Sequence, residues 1–296
     1  MDHTQYGLEP LDFQNPGEPQ RVGLSRRGFI VTSLAGGFAL ASGAIEAQAI
    51  KTDTQGLIAG EVSVALSDGK IPAYHAMPAK GGHFPVLLVI EEIFGVHEHI
   101  KDMCRRFAKL GYYAIAPELL SREGDVSKMS DINQILTQVI AKVPDAQVLS
   151  DLDATVAFAK TSGHVDSTKL GIVGFCWGGR TVWLYANHNP QIKAAVAYYG
   201  LLNGMKSDIK PKDPIDIAGT IKVPVLGLYA GEDAFVKPEV IQQMRTELAK
   251  HESGSEIVVF PGVSHGFNAD YRPTYDKIAA DYAWKLTREW LKDHEV

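Results

Sequence analysis

Residues 170–188 have the sequence LGIVGFCWGGRTVWLYANH. The apolar run Leu170–Phe175 is typical of a buried β-strand, and Trp177–His188 has the character of a helix. Cys176 stands at the junction, with glycines two residues before and two residues after it. Where a strand turns directly into a helix, the residue between them has a strained backbone, and small neighbours let the two elements pack closely. The stretch therefore predicts a nucleophile elbow with Cys176 as the nucleophile.

The position of Cys176 also suits its chemistry. A thiol at the start of a helix lies near the partial positive charge of the helix terminus, which stabilises a thiolate. The backbone N–H of Trp177 would face an oxyanion formed at this point. The alternative is a buried cysteine that packs as a small apolar residue, and the flanking glycines favour the nucleophile.

Further strands and helices alternate on both sides of this stretch. A hairpin is predicted from Glu61–Leu66 and Ile71–Met77, joined by a turn at residues 67–70. The other predicted strands are 86–90, 113–116, 170–175, 194–199, 223–229 and 256–260, and the predicted helices are 100–110, 130–141, 146–161, 177–188, 238–251 and 277–292. This order predicts an α/β fold: a mainly parallel central sheet with an N-terminal antiparallel hairpin and helices on both faces. Ligands in such folds bind beyond the carboxyl ends of the strands.

Two later strands are followed by an acid and a histidine. Asp233 comes after strand 223–229, and His265 lies in a glycine-flanked loop after strand 256–260. Asp233 alone would be read as a turn or cap residue, and His265 alone as a surface histidine. Together they follow the nucleophile in the order nucleophile, acid, histidine. The sequence therefore predicts His265 as the general base and Asp233 as the carboxylate that orients it.

Two acids, Glu91 and Glu92, end the apolar strand 86–90. A buried and unpaired carboxylate costs several kcal/mol, so at least one of them is expected to be paired or functional. The alternative is that one of them caps the strand edge. The backbone N–H of Ile93, the next residue, is placed to be a second oxyanion donor.

Composition excludes several classes of protein. The chain has 296 residues, of which 45% are hydrophobic and 22% charged, an ordinary globular composition. The net charge of −6 argues against nucleic acid and anionic membranes as partners. Two cysteines, Cys104 and Cys176, are too few for a disulfide framework, and Cys104 is expected to be a buried helix residue. No dinucleotide or phosphate-loop motif and no metal-ligand spacing is found, so no cofactor and no metal are expected. His97 and His99 are expected at the rim of the pocket or on the surface.

The first 49 residues have the layout of an export signal. Residues 25–30 read SRRGFI, a mildly apolar run covers 31–45, and residues 47–49 read AQA. This is the order found in twin-arginine signals, and the apolar run is too short for a stable membrane span. We therefore expect a twin-arginine-type signal peptide at 1–49, read by the twin-arginine translocase, and one domain at 50–296 in the periplasm or secreted. The alternative is a cytoplasmic protein with an unused N-terminal helix.

The chain resembles the dienelactone hydrolase family of α/β-hydrolases, whose best-known activity is carboxymethylenebutenolidase. The resemblance is carried by Glu92–Gly95, Gly174–Gly179, Asp233 and His265, and it covers nearly all of the domain. It implies that Cys176 is the nucleophile, His265 its base and Asp233 the orienting acid. It also implies that Glu92 helps to control ionisation of the thiol. The oxyanion hole would be formed by the backbone N–H groups of Ile93 and Trp177.

One position departs from the family pattern. The family holds the carboxylate of its substrate with arginines, one of them four residues after the catalytic histidine, where this chain has Ala269. Arg180, Arg122 and Arg272 are the candidate replacements. Several aromatic residues either line the pocket or pack in the core, namely Tyr74, Phe94, Trp177, Tyr198 and Tyr199. The dienelactone substrate is thereby put in question, but ester or lactone chemistry is not.

The sequence predicts a monomeric carboxylic ester hydrolase that acts on a small ester or lactone through a thioester intermediate. An alternative within the same chemistry is a general carboxylesterase for neutral short acyl esters. A different class, a binding protein without catalysis that keeps the pocket for a small ligand, would be indicated by loss of a catalytic residue. All three, Cys176, Asp233 and His265, are present.

Overall fold

The computed structural model describes residues 50–296, and its centre is a sheet of eight strands. The predicted signal peptide, residues 1–49, lies outside the described residues. The strands are β1 (Leu57–Leu66), β2 (Gly69–Pro78), β3 (Phe84–Ile90), β4 (Tyr113–Pro117), β5 (Val165–Phe175), β6 (Ile192–Tyr198), β7 (Val225–Ala230) and β8 (Glu256–Phe260). Their order across the sheet is β1-β2-β4-β3-β5-β6-β7-β8.

Five longer helices connect or follow these strands: α1 (Glu98–Lys109), α2 (Asp145–Thr161), α3 (Trp177–His188), α4 (Pro238–Leu248) and α5 (Lys277–Asp293). Shorter helical segments are Val126–Lys128, Ile132–Gln134, Ile135–Ile140, Pro214–Ile217 and Ala218–Thr220. None of the helices within residues 50–296 has the length and apolar character needed to cross a membrane.

The predicted α/β fold is confirmed. β2 pairs antiparallel with β1 and β4, and the remaining neighbours in the sheet are parallel. The chain passes from β3 to β4 in one direction across the sheet, and then from β4 through β5 to β8 in the other. Because parallel crossovers are right-handed, this reversal places α1 on one face and α2, α3 and α4 on the opposite face.

The helix predicted over residues 130–141 is the main local difference. A short α-helical turn, Ile132–Gln134, runs directly into a π-helix, Ile135–Ile140, in which the N–H of Ala141 donates to the carbonyl of Leu136 at 2.9 Å. The wider turn brings residues four and five apart to the same side of the helix. Ile135, Val139 and Ile140 are all buried as a result.

The reversal of direction occurs between β3 and β5, which are neighbours in the sheet. At such a switch point the loops beyond the carboxyl ends of adjacent strands separate and leave a crevice for a ligand. Glu92 follows β3 and Cys176 follows β5. The strand order therefore brings these two predicted site residues to the same crevice.

Glycines decide how closely α3 can approach the sheet. A β-carbon on Gly178 would lie 2.4 Å from the carbonyl oxygen of Glu91, and one on Gly174 would lie 2.4 Å from the carbonyl oxygen of Gly178. A β-carbon on Gly179 would lie 2.5 Å from the carbonyl oxygen of Tyr198. The obstructing atoms are backbone atoms, which cannot rotate away. Any larger residue would therefore push α3 out of its place.

We expect Gly178→Ala to lower the free energy of unfolding by about 2 kcal/mol or more, because the methyl group overlaps the end of β3. Gly60→Ala is the matched control, since Gly60 also lies in the sheet but has no atom within 4 Å of an added β-carbon. Its effect is expected to stay within about 1 kcal/mol. Urea unfolding of both variants is the measurement, and equal stability of the two would contradict the packing described above.

Candidate active site

Cys176 lies at the sharp turn between β5 and α3. Its backbone has φ +53° and ψ −111°, a left-handed φ that is unusual for a residue with a side chain. The turn is held because the N–H of Cys176 donates to the carbonyl of Tyr198 at 3.0 Å and its carbonyl accepts from the N–H of Arg180 at 3.1 Å. Such strain persists only where surrounding structure enforces it, and it is concentrated at functional sites.

His265 and Asp233 form a buried pair. The Nδ1 atom of His265 lies 2.8 Å from the Oδ2 atom of Asp233. The other carboxylate oxygen of Asp233 accepts from the N–H groups of Phe235 at 2.8 Å and Val236 at 3.2 Å. These bonds fix the carboxylate, and the carboxylate in turn orients the imidazole. Nε2 is then the ring nitrogen that does not contact Asp233.

The structure also brings His265 close to Cys176, so that the thiol acts on the imidazole. Burial by itself would disfavour a charged imidazole, but the charges of Asp233 and Cys176 and the hydrogen bonds to both outweigh it and raise the pKa of His265 to about 10. A histidine with this pKa holds its proton at neutral pH. The three predicted residues therefore lie together, with the imidazole of His265 between the thiol of Cys176 and the carboxylate of Asp233.

Glu92 is buried in a second polar cluster with Tyr271 and Arg272. The guanidinium of Arg272 donates to the Oε1 atom of Glu92 at 2.9 Å, and the hydroxyl of Tyr271 donates to the Oε2 atom. Burial favours the protonated carboxyl, but Arg272 and Tyr271 hold the pKa of Glu92 below its usual range. Glu92 is therefore a paired carboxylate.

Glu91 has a different environment from its neighbour. Its Oε1 atom accepts from the N–H of Leu120 at 3.2 Å, and its side chain is completely buried. Burial and the nearby carboxyl of Glu118 raise the pKa of Glu91 well above its usual value. Burial thus disfavours a charge on Glu91, whereas the partners of Glu92 favour a charge on that carboxyl.

The two predicted oxyanion donors lie on facing elements. Trp177 is the first residue of α3, where a backbone N–H has no acceptor one turn earlier in the helix. Ile93 follows the end of β3, which touches α3 through Gly178. The fold therefore places both N–H groups beside the crevice, and their role in holding an oxyanion stays a prediction.

The candidate arginines differ in where they lie. Arg180 is buried and donates to both carboxylate oxygens of Asp145, at 2.7 and 2.9 Å, and to the carbonyl of Lys212 at 3.0 Å. Arg122 is paired with Asp68 and Asp151. The guanidinium of Arg180 therefore joins α2 and α3 inside the protein, and its role as a substrate-binding residue stays a prediction.

Arg272 is the candidate arginine that the fold brings to the site. Besides its bond to Glu92, its guanidinium lies 5.2 Å from the centre of the Phe94 ring. Successive turns in the loop after His265 return Arg272 to the start of that loop, where a β-carbon on Gly266 would lie 2.8 Å from the guanidinium. Phe94 also lines a neighbouring cavity of about 300 Å³.

Tyr271 and Tyr199 are the site residues that sequence reasoning missed or left undecided. Tyr271 was not singled out, although it stands six residues after His265 in the stretch that resembles the family. Tyr199 was predicted either to line the pocket or to pack in the core. A tyrosine hydroxyl leaves no periodic signal in a sequence, so only the fold shows what it faces.

The two histidines after Phe94 lie in different places. His99 is fully buried, with its Nδ1 atom 3.0 Å from the Oδ1 atom of Asp270, so its prediction as a rim or surface residue was wrong. His97 is partly exposed, lines the same cavity and packs its ring 4.7 Å from that of Tyr271. Among residues 50–296 no group of three or more side chains could hold a metal ion.

Cys104 lies in α1 and is fully buried. Burial raises the pKa of its thiol far above the usual value. It is therefore a buried helix residue, as predicted, and it provides a natural comparison for the cysteine at the elbow.

Comparison with known proteins identifies the family. The profile of the dienelactone hydrolase family matches residues 71–295. A protein of Methylorubrum extorquens named "Putative carboxymethylenebutenolidase" is 56% identical over 274 residues, which are 92% of this chain and 94% of that protein. A protein of the same name from Escherichia coli K12 is 47% identical over 266 residues, 90% of this chain and 98% of that protein.

Solved structures agree with this match. The crystal structure of a "Putative Dienelactone Hydrolase" from Klebsiella pneumoniae is 49% identical, with a TM-score of 0.78, and the match covers 80% of this chain and 98% of that one. A dienelactone hydrolase-like promiscuous phosphotriesterase from metagenomic libraries matches over 80% of this chain and 98% of that one, with a TM-score of 0.67 and 21% identity. This match shows a shared fold. With the elbow, the strand order and the sequence match all in agreement, the chain belongs to the dienelactone hydrolase family.

Proposed function

We propose that the protein hydrolyses an ester or lactone bond of a small molecule, in the manner of a carboxymethylenebutenolidase, through Cys176, His265 and Asp233. The observation that carries this proposal is the contact of His265 with both Cys176 and Asp233 at the carboxyl ends of the strands. An imidazolium next to a thiol favours the thiolate, which is the nucleophilic form of cysteine. The family match supports hydrolysis as the reaction class.

The steps follow from the positions of the groups. The Cys176 thiolate attacks the carbonyl carbon, and the N–H groups of Ile93 and Trp177 bind the resulting oxyanion. When the tetrahedral intermediate collapses, the bond from carbon to the alcohol oxygen breaks and His265 gives its proton to that oxygen. Water then attacks the thioester as His265 takes one of its protons. Collapse of this second intermediate releases the acid and the thiolate.

Glu92 has a supporting part in this proposal. As a buried carboxylate within the same crevice, it influences the balance of charge around the thiol, and Arg272 and Tyr271 keep it ionised. A substrate that disturbs these two contacts would change the electrostatic potential at the thiol. Glu92 therefore links the binding of substrate to the ionisation of Cys176.

We expect Cys176→Ala to lower the rate of p-nitrophenyl acetate hydrolysis at least about 100-fold, because the variant has no nucleophile. Cys104→Ala is the matched control: it removes the other thiol, which is buried in α1 and takes no part in the proposed steps. The control is expected to keep the wild-type rate. The measurement is the release of p-nitrophenol by residues 50–296 of each form.

Iodoacetamide labelling of the same proteins tells the two thiols apart. Modification at Cys176 with loss of activity, and no modification at Cys104, agrees with the proposal. Equal hydrolysis by wild type and Cys176→Ala would reject Cys176 as the nucleophile. Absence of hydrolysis in the wild type, together with tight binding of an ester, would favour the binding protein considered from the sequence.

One observation favours a second candidate function, a carboxylesterase for neutral short acyl esters. Arg272 already donates to Glu92, and Ala269 stands where the family has an arginine. An anionic substrate that approached Arg272 would compete with Glu92 for the guanidinium and would meet its negative charge. A neutral ester has no such cost.

A matched pair of substrates separates the two candidates. Dienelactone carries a free carboxylate, and its methyl ester has the same ring without the charge. We compare kcat/KM for hydrolysis of the lactone ring in the two substrates. We expect the value for the methyl ester to equal or exceed that for dienelactone, because the guanidinium of Arg272 is already paired with Glu92. A preference of more than about tenfold for dienelactone would instead show that the site recognises the substrate carboxylate.

We also propose that residues 1–49 direct the folded enzyme through the twin-arginine translocase to the periplasm or beyond. The support is the order of paired arginines, apolar run and AQA ending in the sequence. Transport after folding suits an enzyme with a reactive thiol, since its site is assembled before it meets an oxidising compartment.

Changing Arg26 and Arg27 together to Lys is expected to leave the protein in the cytoplasm of a host with this translocase. Arg21→Lys is the matched control, because it changes an arginine outside the pair and should not affect export. Cell fractionation and the size of the product are the measurements. Retention of the unaltered chain in the cytoplasm at full length would contradict the proposal and favour the cytoplasmic alternative.

A further inference from the structure

Tyr199 is buried but its hydroxyl is unsatisfied. The residue has no exposed surface, and the Oη atom has no hydrogen-bond partner among residues 50–296. Folding removes water from a buried hydroxyl, and the loss is normally compensated by a hydrogen bond within the protein. A native hydroxyl that lacks one is therefore a reason to look for a ligand.

The surroundings of Tyr199 are those of the catalytic groups. Its ring meets the ring of His265 edge to face, with the centres 4.9 Å apart, and packs 5.5 Å from the ring of Phe267. The charged or ionisable groups that act on its hydroxyl are Glu92, Arg272, Tyr271 and Cys176. The unsatisfied hydroxyl is therefore within electrostatic range of both Cys176 and the Glu92 cluster.

The backbone at Tyr199 is strained as well. β6 ends at Tyr198, one residue earlier than the sequence predicts, and Tyr199 has φ +38°. Its N–H donates to the carbonyl of Leu228 at 2.8 Å, which holds the residue at the end of the parallel strands. The next residue, Gly200, contacts the start of α3: a β-carbon there would lie 2.3 Å from the carbonyl carbon of Gly179. The packing that forms the elbow therefore also directs Tyr199.

We propose that Tyr199 is a catalytic residue whose hydroxyl donates a hydrogen bond to an oxygen of the bound ester or lactone. The inference rests on the proposed hydrolase function and names an additional substrate contact within the same site. Burial, the largest cause, raises the pKa of Tyr199 well above its usual value, and so the hydroxyl keeps its proton and acts as a donor. The part of the chain that the structure describes supplies no acceptor for it, which leaves the substrate to supply one.

Tyr198, the preceding residue, offers a matched control. It is also fully buried, but its hydroxyl is 2.7 Å from the Oγ1 atom of Thr287 in α5 and is therefore satisfied within the protein. Replacement by Phe removes one oxygen at each position and keeps the ring. Loss of the Tyr199 hydroxyl should then lower activity but not stability, and loss of the Tyr198 hydroxyl should lower stability but not activity.

For Tyr199→Phe we expect kcat/KM for p-nitrophenyl acetate to fall at least about tenfold, with an unfolding temperature equal to or above that of the wild type. No hydrogen bond within the protein is lost, and an uncompensated buried hydroxyl is removed. For Tyr198→Phe we expect a lower unfolding temperature, because the bond to Thr287 is lost, and a kcat/KM within about threefold of the wild type.

The outcomes separate this inference from the proposed function. An active wild type with a Tyr199→Phe variant of equal kcat/KM would overturn the inference and leave the proposed hydrolase intact. A Tyr199→Phe variant that loses stability together with activity would also overturn it, since the hydroxyl would then have a structural role. A wild type as inactive as Cys176→Ala would overturn the proposed function, and the inference with it.

Discussion

The close approach of α3 to the ends of β3, β5 and β6 is the constraint on which the rest of the site depends. Three glycines, Gly174, Gly178 and Gly179, leave space that the backbones of neighbouring strands fill. The chain can then turn from strand to helix within one residue, and Cys176 adopts the strained conformation that this turn requires. The same contact places the N–H of Trp177 opposite the turn after β3, and through Gly200 it holds the backbone next to Tyr199. Packing of backbone against backbone is thus what assembles the chemical groups.

Electrostatics within this crevice follows from burial. Each buried charge has a partner at close range: Asp233 for His265, and Arg272 and Tyr271 for Glu92. Because desolvation makes an unpaired charge costly, these pairs are mutually dependent. The negative charge of Asp233 favours the protonated form of His265, which lies beside the Cys176 thiol.

Two of the buried arginines, Arg180 and Arg272, show where sequence reasoning reached its limit. Arg180 follows the nucleophile by four residues and seemed well placed for substrate, but it pairs with Asp145, which is 35 positions earlier in the chain. Arg272 was an equal candidate in the loop after His265, and turns in the chain bring it to Glu92, 180 positions away. The type of residue is the same in both cases. Long-range pairing decides which one meets the catalytic groups, and a single sequence has no periodic signal for such pairs.

The sequence by itself determined the alternation of strands and helices, the parallel sheet, the elbow at Cys176 and the order of Cys176, Asp233 and His265, because each of these depends on local propensity, apolar periodicity or small residues at fixed spacing. The tertiary structure decided in which direction the pKa of each acid after β3 is shifted and which candidate arginine contacts Glu92. It also decided that His99 is buried against Asp270, and that the hydroxyl of Tyr199 has no hydrogen-bond partner within residues 50–296 while that of Tyr198 has one. These properties depend on which distant residues each side chain contacts in the folded protein. Because the contacts are buried, they shift pKa values and decide which polar groups are hydrogen-bonded, and neighbours in the sequence do not reveal them.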